Sequence, residues 1–183
     1  MAGWEQLLEE VVRTRRSALV GYAHLFALER ADAEDLVQEA LVRTFARRRS
    51  FPDAIAAEAY VRAAIRTSFL DRARKAKVLA GRSHLLADDD ARSADEAAVA
   101  GVDVAAALAA LSPQQRACTV LRFFDDLPVR DVAAELRLSE GSVKRYLSEG
   151  VTTLRRILGD AASWPSEGDG PTVPVMVVRR SVR

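Results

Sequence analysis

DLPVRDVAAELRLSEGSVKRYLSEGVTTLRRIL, residues 126–158, reads as a helix, a tight turn and a longer helix. Asp126-Leu127-Pro128 turns the chain, and the spacing predicts a short helix over 129–136. Arg137-Leu138-Ser139 forms the turn, with Ser139 placed to cap a final helix over about 140–158 that Gly159 ends. Val143, Leu147, Val151, Leu154 and Leu158 recur at helical spacing and face inward. Gly141, Ser142, Lys144, Arg145, Ser148, Glu149, Thr152 and Arg155 then lie toward solvent. The Ala133-Ala134 pair suits the close crossing of two helices. This is the layout of a DNA-reading helix-turn-helix, against the plainer reading of a solvated charged face. Gly141 and the first-turn amides suit a phosphate, and Lys144 and Arg145 suit guanine edges or phosphates.

Upstream, Ser112-Pro113-Gln114-Gln115 is a helix start, with Ser as N-cap, Pro at the first position and Gln at the third. Its helix runs to about Phe124. Residues 80–101 carry Gly81, Ser83, the run Asp88-Asp89-Asp90, Asp95 and Glu96, and read as a flexible acidic linker. Residues 160–183 are rich in Pro, Gly and Ser before a VPVMVV run, and form an irregular tail.

The first half reads as helices too. Residues 4–28 give one long helix or two short ones. Asp32 looks like an N-cap for a helix to about Arg48, with the apolar stripe Leu36, Val37, Ala40, Leu41, Thr44 and Phe45. Asp35, Gln38, Glu39 and Val42 fall on the other face, where plain solvation is the default reading. Ser50-Phe51-Pro52-Asp53 breaks the helix. A third helix, about 54–77, buries Ala57, Tyr60, Val61, Ala64, Ile65, Phe69 and Leu70 and ends in Arg72, Arg74, Lys75 and Lys77. Arg62 and Arg66 share a face of it. From the charges alone two readings stand: phosphate contact, or a basic helix end stabilised by its own dipole.

Composition sets the bounds. The 183 residues are 49% hydrophobic with a net charge of +1, enough for one domain or two small ones and less basic than a stand-alone non-specific DNA binder usually is. Any DNA contact therefore comes from local patches or with a partner's help. The single cysteine, Cys118, excludes an internal disulfide; it sits in an apolar run and reads as a buried, inert thiol. The N-terminus has no signal-peptide pattern, and no apolar run approaches the roughly 20 residues of a membrane span, so a soluble cytoplasmic protein is expected. His24 and His84 have no metal-ligand spacing, and no nucleophile motif or Gly-rich phosphate loop is present, so neither enzyme activity nor a cofactor or metal is expected.

DAEDLVQEALVRTF, residues 32–45, closely resembles region 2.2 of bacterial sigma factors. Its spacing to AYVRAAIRTSFLDRARK and to the helix-turn-helix resembles the extracytoplasmic-function (ECF) group. VKRYLSEGVTTLR is similar, more weakly, to the actinobacterial SigE-like subfamily. The resemblance implies an all-α chain of two small helical domains: region 2 over 1–79, the linker 80–101, and region 4 over 102–159. It implies docking of Asp35, Leu36, Gln38, Glu39 and Phe45 on the β′ clamp helices of core RNA polymerase. It implies −10 contacts from Arg49, Ser50, Phe51, Tyr60, Arg62, Arg66 and Arg72, with the 49–54 loop capturing a flipped base. Gly141, Ser142, Lys144, Arg145, Ser148 and Arg155 would read the −35 element, with the β flap as a further partner and an anti-sigma factor as inhibitor. Arg66 stands where many members carry Asn, and Glu149 near where many carry Arg. The competing expectation is a stand-alone, dimeric helix-turn-helix regulator on a palindrome.

Overall fold

The computed structural model describes residues 3–27, 29–46, 51–83 and 104–158, and all regular structure among them is α-helical. The helices are α1 (Trp4–Ala23), α2 (Arg30–Phe45), α3 (Ala54–Ser83), α4 (Val104–Ala109), α5 (Pro113–Phe123), α6 (Val129–Leu136) and α7 (Glu140–Leu158). The chain divides into two compact units, Met1–Ala117 and Cys118–Arg183.

In the first unit α1, α2 and α3 pack on one another. Each gives an apolar stripe at helical spacing: Leu7, Val11 and Leu19 from α1, Ala33, Leu36, Val37 and Ala40 from α2, and Ala57, Val61 and Ile65 from α3. Phe26, in the turn after α1, is fully buried and meets Tyr22 at 5.4 Å and Phe69 at 5.3 Å between ring centroids. The Asp53 carboxylate accepts the Ala56 amide at 2.7 Å and so caps α3.

Three expectations change here. Asp32 is not the N-cap of α2. The helix begins at Arg30 from an extended Glu29 with no side-chain cap, and the Arg30–Glu34 pair at 3.0 Å supports its first turn instead. Tyr60 is half exposed rather than core. The third helix runs on to Ser83, past its expected end near Lys77 and into the expected linker; the rest of that linker, and the tail from 159 on, lie outside the described residues. The two compact units meet within α5, after Ala117. Arg116, at the edge of the first unit, donates to the Phe26 carbonyl and to those of Ala109 (2.8 Å) and Leu111 (3.4 Å). Its guanidinium lies 5.4 Å from the Phe69 ring centroid, and burial lowers its pKa to about 10. α4 and the start of α5 fall within the same unit as α1–α3.

At the start of α5, Ser112 and Gln115 make the expected reciprocal cap: the Ser112 amide donates to Gln115 Oε1 at 3.1 Å, and the Gln115 amide to Ser112 Oγ at 3.4 Å. The second unit is built on Cys118, Leu121, Val132, Ala133 and Val143, closed over by Leu127, Leu136, Leu138, Tyr146 and Leu147. Cys118 is fully buried and its thiol is pushed up to about 11, which leaves it unreactive. Arg137 takes a left-handed conformation (φ 54°) after α6, and the Leu138 amide reaches back to the Ala133 carbonyl at 2.9 Å. That turn re-aims the chain into α7.

Candidate nucleic-acid and protein interfaces

The outer face of α7 follows from that turn. Ser139 Oγ accepts the Ser142 amide at 3.1 Å and lies 2.9 Å from Ser142 Oγ, which caps the helix. Val143 and Leu154 are buried, Gly150 with them, so the helix can present only one side. Gly141, Lys144, Arg145, Ser148, Thr152 and Arg155 are exposed along it. A Cβ at Gly141 would meet nothing closer than Ser139 Oγ at 3.9 Å, so the chain's own packing does not require glycine there. Arg145 lies 4.8 Å from the Tyr146 ring centroid and 4.0 Å from Glu149. Ser142 is half-buried and committed to the cap, so it is less accessible than its neighbours.

On α2, Asp35 and Gln38 are exposed and Val42 stands out beside them at 68% exposure. Leu36 and Phe45 do not share that exposure: at 2% and 3% they belong to the core stripe of the same helix. Glu39 is half-buried and turned toward α3. It accepts from Ser68 Oγ at 3.0 Å and from Arg72 at 2.9 and 3.2 Å. Partial burial pushes its carboxyl up, but the Arg72 and Ser68 hydrogen bonds and the charges of Arg72 and Arg43 outweigh this and hold it below its ordinary value of 4.5.

The basic face of α3 is more committed than its sequence suggests. Arg66 is not on the exposed face expected of it: it is buried at 8% exposure and donates to the Tyr22 hydroxyl at 2.9 Å. Arg62 is held by Glu58 at 2.7 Å and lies 4.8 Å from the Tyr22 ring centroid, and Arg15 lies 3.6 Å from Glu58 on the far side. Arg74, Lys75 and Lys77 are exposed near the end of α3, Arg74 pairing with Asp71 at 3.2 Å. Phe51 is nearly buried between Phe45 (5.7 Å) and the half-exposed Tyr60 (5.1 Å). Arg49 and Ser50 lie outside the described residues. Sequence reasoning missed the polar crossing of Glu39, Ser68, Arg72, Arg43 and Asp71, since its members sit on two helices far apart in the chain. It also missed Arg116, whose neighbours advertise only a helix start. Among the described residues no helix is long and apolar enough to cross a membrane.

Residues 11–78 match the sigma-70 region 2 family and residues 102–154 the sigma-70 region 4 family. The RNA polymerase sigma-E factor of Streptomyces avermitilis is 34% identical over 155 residues, covering 82% of this chain and 84% of the relative. The chain belongs to the sigma-70 family. That of Streptomyces coelicolor is likewise 34% identical over 155 residues, covering 82% of this chain and 85% of its own. These relatives place the sigma factor in the ECF group, of sigma-E type. The crystallised sigma factor RpoE of Bartonella quintana, solved with the anti-sigma factor NepR, has a TM-score of 0.57 and 23% identity, covering 84% of this chain and 97% of that one. It shares the fold of the sigma factor. The region 4 match begins at 102 while the compact units divide after Ala117, so α5 serves both descriptions.

Proposed function

We propose that this RNA polymerase sigma factor divides its work among three faces. The exposed α2 side, Asp35 and Gln38 with Glu39 and Val42, docks on the β′ clamp helices of core polymerase. Phe51, Tyr60, Arg62 and Arg72, with Arg49 and Ser50, serve the −10 element. Gly141, Lys144, Arg145, Ser148 and Arg155 read the −35 element in the major groove, with Ser142 setting the helix start. Residues 1–79 act as region 2, 80–101 as linker, 102–159 as region 4, which also meets the β flap, and 160–183 as tail. The protein performs no bond chemistry, uses no cofactor and works in the cytoplasm. An anti-sigma factor holds it inactive, as the complex of the Bartonella relative suggests.

The observation that carries this reading is the row Lys144, Arg145, Ser148, Thr152 and Arg155, exposed along a capped helix behind a tight turn, in the same chain as the region 2 match. Near-neutral charge fits it, because polymerase supplies most of the grip on DNA. The test is transcription in vitro on fragmented DNA of the source genome, with core polymerase, with and without the protein. Discrete starts that require both are expected. No starts and no core binding, with a palindromic footprint by the protein alone, would establish the stand-alone regulator instead.

A further inference from the structure

The crossing of α2 and α3 joins residues assigned to different partners. Glu39 shares its helix with the exposed Asp35 and Gln38, yet both its oxygens are engaged by α3: Oε1 accepts Ser68 Oγ at 3.0 Å, and Oε2 accepts Arg72 Nη2 at 2.9 Å and Nε at 3.2 Å. Ser68 is fully buried, so this side of the carboxylate is anchored. Arg43 Nη1 donates to Ser68 Oγ at 3.2 Å and to Asp71 at 3.4 Å, and Asp71 pairs with Arg74 at 3.2 Å. Two carboxylates thus restrain two of the cations of α3, Arg72 and Arg74.

A fork-like guanidinium pair on one carboxylate oxygen is directional. Arg72 cannot keep it and also turn its fork to a phosphate. Glu39, likewise, cannot give that oxygen to a cation on a docking partner without loosening Arg72. Resting on the polymerase reading above, we propose that Glu39 is a positioning residue that makes the grip of α3 on single-stranded DNA conditional on docking at α2. In the unbound protein Glu39 holds Arg72 against α2. A partner cation that takes over the carboxylate releases Arg72 to a phosphate. The pair is about two-fifths exposed on both sides (44% and 41%), which keeps the restraint weak enough to be displaced.

The test is a double-mutant cycle on the full chain, without polymerase, binding a short fluorescein-labelled DNA single strand of mixed sequence. Glu39→Gln is expected to bind about threefold tighter at low salt, and to steepen the salt dependence by roughly one phosphate contact. Adding Arg72→Gln should erase both gains, and Glu9→Gln, which removes the same charge on α1, should produce neither. Arg72→Gln alone, which keeps the Glu39–Ser68 bond, should weaken the strand's hold in the polymerase complex. Equal affinity of Glu39→Gln and the parent, or a gain that survives Arg72→Gln, overturns the proposal. Gel filtration with core polymerase separates the two levels. A chain that fails to bind core refutes the polymerase reading and the proposal with it, whereas core binding with a flat cycle refutes the proposal alone.

Discussion

Arg66 and Tyr22 show how a single side chain can reverse its reading. In the linear chain Arg66 sits four residues after Arg62 and looks like half of a phosphate clamp, but its guanidinium lies in the core on the Tyr22 hydroxyl at 2.9 Å. A buried donor that loses an acceptor pays the desolvation of that group. Tyr22→Phe keeps the ring, and with it the contact of Arg62 at 4.8 Å, while removing the oxygen. It should lower the unfolding free energy by about 1–2 kcal/mol, measured by urea denaturation, with little change in DNA affinity. Charge alone could not reveal this, because formal charge says where water is favoured and nothing about which neighbour offers an acceptor. Tyr60 errs the other way. Its helical phase fits a core stripe, but the ring stands half exposed at the edge of the Phe51 ring.

Helices are where the sequence speaks most clearly. The periodic apolar positions of α6 and α7 place both helices and the turn, because Val132 and Val143 must be buried in one small core. The start of α5 was equally legible, since Ser-Pro-Gln-Gln names a cap whose chemistry is local. Ser112→Ala should cost about 1 kcal/mol in the same denaturation experiment. The start of α2 was not, because Asp32 has the residue type of a cap while the chain enters the helix earlier, through Glu29. For α7, Lys144→Ala with Arg145→Ala should cut promoter-directed transcription about tenfold or more, leaving core binding by gel filtration intact. A loss of core binding as well would show that the face does not belong to DNA.

At the level of the intact chain, surface charge and stability meet on α2. Asp35→Lys should weaken core polymerase binding about tenfold, with the melting temperature unmoved, because Asp35 is exposed. Glu39 behaves differently, because its folded carboxyl lies below its ordinary value of 4.5. As pH falls through that range the unfolded chain takes the proton first, so this contribution is present above it and fades below. Glu39→Gln should therefore flatten the acid limb of stability against pH, followed by thermal melts. An unchanged limb would mean that the bonds from Arg72 and Ser68 carry no net stability. The role of Arg116 could not be read from composition, because it turns on where one guanidinium lies. Arg116 finds its acceptors in the carbonyls of Phe26, Ala109 and Leu111, all of them main-chain oxygens. Main-chain oxygens are present whatever side chain those positions encode. The contact is thus tolerant of drift on one side and brittle on the other: its genetic target is one codon, and no second-site change at an acceptor position can redesign the partner that Arg116 has lost.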